Sequence, residues 1–306
     1  QVIQIGVANQ NIDFDAIEDK TFISAPFKIA PKSSSGLTVS LGETSAACSL
    51  SSVGENEFIV EIDAVGICSI TASQLGEQGR FAAATPITQS FEISPVVPGP
   101  PILESVGFDD GAINISFKPP SFDGGGGVIA YQMVAEDDSG NKLANNSCTS
   151  SPCTLSGLAN GVEYRTTIAA VNAAGPSSPE QAPAITPAAA ADSVGNLTLS
   201  NGDGELTASW TKPSSFGGGT FTSYELTLSS GGQEVQRDSI GVSGTTTRTF
   251  QNLSNGVSYE LEVVVLSTAN VETLASNTSS TIGIPATVPD GVRNITAEIE
   301  SFDTAF

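Results

Sequence analysis

The feature that most limits what this chain can fold into is a repeat of itself. Leu158-Ala159-Asn160-Gly161-Val162-Glu163-Tyr164 returns as Leu253-Ser254-Asn255-Gly256-Val257-Ser258-Tyr259, 95 residues later. Upstream, Ile115-Ser116-Phe117-Lys118-Pro119-Pro120 matches Ala208-Ser209-Trp210-Thr211-Lys212-Pro213 at a spacing of 93. Tyr131 and Tyr224 share that spacing, and each follows a glycine run, Gly124 to Gly127 and Gly217 to Gly219. Self-similarity at a fixed period means one structural unit used serially. Two consecutive modules therefore occupy 98–187 and 192–284. A third begins: Asp290-Gly291-Val292-Arg293-Asn294-Ile295-Thr296 restates Asp192-Ser193-Val194-Gly195-Asn196-Leu197-Thr198. One or two strands cannot close a sandwich, so 288–306 is expected to be the incomplete start of a further module. The chain then reads as a window on a longer array.

Between its 31 glycines and 17 prolines run short segments of alternating polarity, rich in Val, Ile and Thr. Phe58-Ile59-Val60-Glu61-Ile62 and Tyr259-Glu260-Leu261-Glu262-Val263 are two of them. No long stretch has helical period. Short strands every 8–12 residues, separated by turn residues, indicate all-β sandwiches. Ser94 to Pro101, Thr186 to Asp192 and Ile284 to Pro289 are the linkers, short and Pro-rich, which predicts stiff connections.

Composition narrows the chemistry. Eleven Lys plus Arg against 33 Asp plus Glu leave a net charge of −22. The excess is even, −7, −6 and −9 over residues 1–95, 96–190 and 191–306. An acidic field on every module repels nucleic acid and anionic lipid, so neither is expected as a partner. Histidine is absent, which removes Ser-His-Asp and Cys-His catalysis and any His-containing metal site. The four cysteines are even in number and too dispersed for a zinc site. With six Asn-x-Ser/Thr triplets they suggest export to an oxidising compartment. No run of about 18 apolar residues exists, so no membrane-spanning helix is expected. The start at Gln1, without a leader, suggests a processed or excised chain.

Residues 98–284 resemble two fibronectin type III domains of the bacterial extracellular kind. Phe117 and Trp210 stand where that family has its strand-B core aromatic, Tyr131 and Tyr224 where it has its strand-C tyrosine. The Leu-x-Asn-Gly-x-x-Tyr stretches match its tyrosine corner, and the resemblance implies that Tyr164 and Tyr259 return their hydroxyls to upstream backbone. Ala170 to Ser177 closes the first module in the family's manner, whereas Ser267 to Glu272 departs from it. Residues 11–94 resemble a different sandwich, a bacterial immunoglobulin-like repeat of large surface proteins. The matching stretches include Asn11 to Phe14, Asp19 to Thr21, Ala25 to Phe27, Ser35 to Val39 and Gly66 to Ala72. In that family the two cysteines, here Cys48 and Cys68, pair. Their alternation with Leu50 and with Ile70 and Ala72 agrees, since it points both inward. Cys148 and Cys153 are expected to form a second, local disulfide. Residues 1–10 would be an N-terminal strand or the end of a preceding module.

Other clusters have plain structural readings. Asp13, Asp15, Glu18 and Asp19 would suit calcium, but they lack the spacing and turn glycine of a calcium loop, so a solvated or structural role is expected. Glu136 to Asn141 reads as a hairpin turn. The glycine runs are not followed by the lysine or helix of a phosphate loop, and their recurrence makes them B–C loops. Phe122 and Phe216, beside those loops, are expected to pack against the adjoining module, with stacking on a sugar ring as the alternative. Paired carboxylates could hydrolyse a glycoside without histidine, but 6% aromatic residues spread over small sandwiches supply no groove.

The fold expectation is thus all-β: tandem immunoglobulin-like and fibronectin type III sandwiches in an extended array. No cofactor, no metal and no catalysis are expected. The leading functional expectation is a rigid structural or adhesive segment of a secreted bacterial surface protein or extracellular fibre. Its partners would be other modules of the same long chain, with a surface protein or polysaccharide beyond them. The alternatives are accessory modules of a secreted polysaccharide-degrading enzyme, and a polymer subunit joined by strand complementation.

Overall fold

In the computed structural model, residues 6–136, 140–241 and 245–287 are described. Every regular element among them is β-strand. By compactness the chain divides into two units. One comprises Gln1–Gly107, Ile113–Gly157 and Tyr164–Ile185; the other comprises Phe108–Ala112, Leu158–Glu163 and Thr186–Phe306.

The N-terminal sandwich contains β1 (Ile12–Asp13), β2 (Lys20–Thr21), β3 (Phe27–Ile29), β4 (Lys32–Ser33), β5 (Ser40–Glu43), β6 (Cys48–Gly54), β7 (Glu57–Ile62), β8 (Gly66–Ser73) and β9 (Ile87–Ser94). One sheet runs β2-β9-β8-β5 and the other β3-β7-β6, with β1 paired to β4. Strand pairing is antiparallel except for β2 beside β9. In β8, Cys68, Ile70 and Ala72 are fully buried while their neighbours are not, the period of a strand with one face on a core. That core gathers Val60, Ile70, Phe91 and Ile93 around Cys48 and Cys68. The two cysteines are bonded, with Cα atoms 5.7 Å apart, so the disulfide ties β6 in one sheet to β8 in the other. Ala8 pairs with Phe81 of this sandwich through bonds of 2.9 Å from Ala8 N to Arg80 O and from Ala82 N to Ala8 O. The described part of residues 1–10 therefore joins the sandwich that follows it.

The middle sandwich has β10 (Ile102–Asp109), β11 (Ala112–Lys118), β12 (Ala130–Glu136), β13 (Lys142–Cys148), β14 (Cys153–Ser156), β15 (Arg165–Asn172), β16 (Gly175–Pro176) and β17 (Glu180–Gln181). Three strands, β10-β11-β14, face a sheet ordered β13-β12-β15-β16, with β17 also on β15. Cys148 ends β13 and Cys153 begins β14, and their bond, Cα atoms 5.8 Å apart, again crosses between sheets.

The last sandwich repeats this plan with β18 (Gly195–Gly202), β19 (Glu205–Thr211), β20 (Thr220–Ser230), β21 (Gln233–Ile240), β22 (Thr247–Phe250), β23 (Tyr259–Ala269), β24 (Glu272–Ala275) and β25 (Ser279–Gly283). Its sheets are β18-β19-β22 and β21-β20-β23-β24, with β25 on β23. Strand β23 shows the driving pattern best: Tyr259, Leu261, Val263 and Val265 are buried, and Glu260 and Glu262 are exposed between them. Its core gathers Trp210, Tyr224, Leu226 and Phe250, with Ala191 of the preceding linker joining them. The expected start of a further module at 288–306 lies outside the described residues.

Candidate functional site

The acidic stretch at the start of the chain borders an open pocket of about 470 Å³, lined by Asp13, Asp15 and Glu18 but equally by Lys20, Lys28 and Lys32. Asp19 is occupied structurally, its carboxylate accepting the Glu92 N–H at 2.7 Å. Among the described residues no group of three or more acidic or cysteine side chains is placed to hold a metal ion.

The repeated corner is a small hydrogen-bonded unit, and it recurs in detail. In the middle sandwich Asn160 Oδ1 accepts from Gly111 N at 2.8 Å while its Nδ2 donates to Asp110 Oδ1 at 2.7 Å. In the last, Asn255 does the same with Gly204 N at 2.9 Å and Asp203 Oδ1 at 2.7 Å. Backbone bonds from Leu158 N to Gly111 O and from Leu253 N to Gly204 O close both units. The corner asparagine thus ties the A–B turn to the E–F crossover. The Asp-Gly pairs at 110–111 and 203–204, 93 residues apart, carried that signal in the sequence. Tyr164 and Tyr259 are both buried, and Tyr259 Oη accepts a 3.1 Å bond from Ser254 N.

The glycine runs do something different: they seize the linker in front of their own module. Val96 N donates to Gly124 O at 3.0 Å and Gly99 N to Phe122 O at 2.9 Å. Ninety-three residues on, Ala189 N donates to Gly217 O at 2.8 Å and Asp192 N to Ser215 O at 2.9 Å. The approach is so close that a Cβ on Gly124 would run into Val96 O, and one on Gly217 into Ala189 O. Asparagines of the F–G hairpins complete the grip. Asn172 Nδ2 donates to Val96 O at 2.7 Å and Asp123 O at 2.9 Å. Asn270 binds both backbone groups of Thr186, accepting from its N–H at 3.1 Å and donating to its carbonyl at 2.6 Å. Residues at 172 and 270 are not equivalent in the repeat, so their shared task was invisible in the alignment of the two copies.

The second glycine of each run faces what precedes the linker. A Cβ on Gly125 would enter the ring of Phe22, and one on Gly218 would strike the backbone of Asn160 and Gly161. These positions are strand-to-strand loops whose backbone, stripped of side chains, forms a module end.

A family model for the fibronectin type III domain matches residues 100–186 and 192–281. The chain belongs to that family. A stretch of 83 residues, 27% of the chain, is 32% identical to the Kelch domain-containing protein SSO1033 of Saccharolobus solfataricus, of which it spans 11%. Among solved structures, the chicken CNTN1 FN1–FN3 domains align with 90% of this chain and 98% of their own, at 14% identity and a TM-score of 0.36. A two-domain fibronectin type III segment of chicken tenascin aligns with 61% of this chain and 98% of its own, at 19% identity and a TM-score of 0.34.

Within the two fibronectin type III domains the core aromatics sit against the strand-C tyrosines. Phe117 lies 4.4 Å from Tyr131 between ring centroids, and Trp210 lies 5.4 Å from Tyr224, edge to face. Phe122 stacks on Phe22 of the N-terminal sandwich, centroids 6.3 Å apart and planes 17° from parallel. Phe216 departs from the expectation of packing on a neighbour. It lies 5.3 Å from Phe221 and rests on the core of its own domain. The reason is local: Phe221 offers it an aromatic surface where the first domain, 93 residues earlier, has Val128. The F–G connection of the second domain, which departs from the family pattern, is a tight hairpin. Asn270 and Val271 take φ of 46° and 66° between the paired Ala269 and Glu272.

Proposed function

We propose that this chain is a non-catalytic spacer in an extracellular bacterial surface protein or fibre, with residues 11–94 as an immunoglobulin-like repeat ahead of the two fibronectin type III domains. The observation that carries this reading is the linker geometry. Segments 94–101 and 186–192 are each held by backbone bonds to the loop of the domain they precede, which supports reading them as joints rather than tethers. A serial load path needs that property, whereas a module that merely delivers a catalyst works on a loose linker. The even acidic charge and the two disulfides support an extracellular setting. A held-apart series transmits position and force from whatever lies at one end to whatever lies at the other.

Small-angle scattering of the 306-residue chain tests the reading. Three sandwiches of roughly 35–40 Å in series give a maximum dimension above about 100 Å, while a compact globule of this length has a radius of gyration near 19 Å. The compact value would overturn the spacer function, because folded-back sandwiches hold nothing apart.

A further inference from the structure

In the N-terminal sandwich, β1 and β4 begin a ladder that does not finish. Ile12 stands opposite Ser33 and Asp13 opposite Lys32, and Ser34 N donates to Asn11 O at 2.9 Å in the same register. Continued, that register would set Asp15 opposite Ala30 and Ile17 opposite Lys28. Instead the two arms part. The pocket of about 470 Å³ lies between them, lined by Asp13 to Glu18 on one side and by Phe27 to Lys32 on the other.

The cause is a change of sheet. After β1 the chain crosses to the sheet that contains β9. There Phe14 O accepts from Gln89 Nε2 at 2.8 Å, the Asp19 carboxylate accepts from Glu92 N at 2.7 Å, and Lys20 pairs with Ile93. These bonds hold the first arm away from β3. Residues 14–18 make no backbone–backbone hydrogen bond among the described residues, and neither does Ala30. Strand β3 is the edge of its sheet, bonded to β7 on one side and lining the gap with the other. The floor is apolar: Phe14 is buried, and Ile17, Phe27 and Ile29 rest on the sandwich core. The rim is charged with opposite signs. Asp13, Asp15 and Glu18 are exposed on one arm, and Lys28 and Lys32 on the other, where Lys28 also lies 3.4 Å from Glu57.

We infer that this gap is a strand-insertion site, which takes an extended peptide segment of another chain and bonds it through its main chain to the open edge of β3. The arm from Asp13 to Glu18 has room for about five residues at roughly 3.3 Å each. The occupant follows from the walls. Main-chain groups left open beside a gap are matched by a ligand that offers N–H and C=O at the repeat of a strand, and an extended peptide does so on both of its edges. Its inward side chains meet the apolar floor. Its outward ones lie between an acidic and a basic arm, so a charge of either sign is attracted by one and repelled by the other. The favoured segment therefore alternates apolar residues with uncharged polar ones. The site lies within one sandwich and goes beyond the spacer reading, which does not depend on it.

The probe is a capped, fluorescein-labelled hexapeptide of alternating Val and Thr, titrated into the 306-residue chain. Its anisotropy should saturate, and the amides of 14–18 and 28–30 should gain protection from hydrogen exchange. The same peptide N-methylated at every peptide bond should bind at least about tenfold more weakly, because its main-chain donors are gone. Ala30→Pro, which removes a donor from the β3 side, should weaken the unmodified peptide by about tenfold. Should that variant unfold the sandwich, the N-methylated peptide makes the same test on the parent chain. No saturation at about 1 mM peptide, equal affinity for the two peptides, or protection confined to other segments overturns the site. Protection of 14–18 by maltohexaose or cellohexaose but not by the peptide would make it a glycan site and also overturns it. Scattering separates the two ideas. A compact chain that binds the peptide sinks the spacer and keeps the insertion site, whereas an extended chain that binds none does the reverse.

Discussion

The phenol oxygen of Tyr259 accepts a 3.1 Å hydrogen bond from the backbone N–H of Ser254, five residues earlier. The bond holds the E–F crossover against the first residues of β23, in a ring environment that is 5% exposed. Tyr259→Phe keeps the ring and leaves the Ser254 N–H without this acceptor. The expected cost is about 1 kcal/mol, rising where the donor stays dry. Urea unfolding of the chain should show a lower midpoint for the last domain at an unchanged slope. A midpoint equal to that of the parent would mean the corner bond does not stabilise.

Gly124 and Gly127 separate backbone strain from steric closure. Both lie in the left-handed region, with φ of 77° and 69°, but of the two only Gly124 faces the linker; a Cβ on Gly127 would meet none of the described residues within 4 Å. Gly127→Ala should cost about 1–2 kcal/mol, the left-handed penalty alone. Gly124→Ala should cost a further 1–3 kcal/mol or so, because the linker carbonyl must be displaced. Gly217→Ala should behave like Gly124→Ala. Calorimetry of the three variants checks the order, and equal losses at 124 and 127 would show that the linker is not gripped.

Reduction should divide the sandwiches by their bonds. The Cys48–Cys68 bond closes a sequence separation of 20, worth about 3 kcal/mol in the chain-entropy treatment; Cys148–Cys153 closes a separation of 5, worth about 2 kcal/mol. The last sandwich contains neither. A reductant should lower the unfolding temperatures of the first two sandwiches and leave the third in place. Peptide mapping without reductant gives the pairing directly, and Cys48 linked to Cys148 would refute it.

Alkaline stability should depend on Tyr131 and Tyr224. Burial pushes the phenols of Tyr131 and Tyr224 above the usual value of 10.0, with the Trp210 indole acting in the opposite direction at Tyr224. A raised folded value means the neutral phenol is favoured by folding. The contribution is fully present below the unfolded value near 10 and is lost as pH rises above it, because the unfolded chain ionises first. Ultraviolet titration of the phenolate band should find the Tyr131 and Tyr224 phenols ionising late, together with unfolding. Tyr131→Phe and Tyr224→Phe should each flatten the alkaline loss, and two early, reversible titrations at those positions would contradict it.

Much of this architecture was legible in the chain because the period of a strand and the period of a repeat are both local records. The alternation in Tyr259 to Val265 announces a strand with one wet face, and the 93- and 95-residue spacings align two copies of one sandwich. Cys148 and Cys153 lie close enough in sequence that their meeting needed little of the fold. Phe216 was less legible. An aromatic at a loop tip reads as a contact surface, and only the position of Phe221 at the start of β20 turned it inward.

What the sequence determined by itself was the kind of unit, an all-β sandwich used in tandem, since burial of alternate side chains decides this within each segment. What only the tertiary structure decided was the joint. The bonds from Val96 to Gly124 and from Ala189 to Gly217 are made by backbone atoms, which every residue possesses, so no side-chain pattern announces them. Asn172 and Asn270 reach their linkers from different positions in the repeat, since what matters is the distance to a carbonyl across the fold. Even the glycines speak only of permission in the sequence. That Gly124 needs its missing Cβ because a linker carbonyl stands there, while Gly127 has open space, is a fact about which chain segments lie side by side.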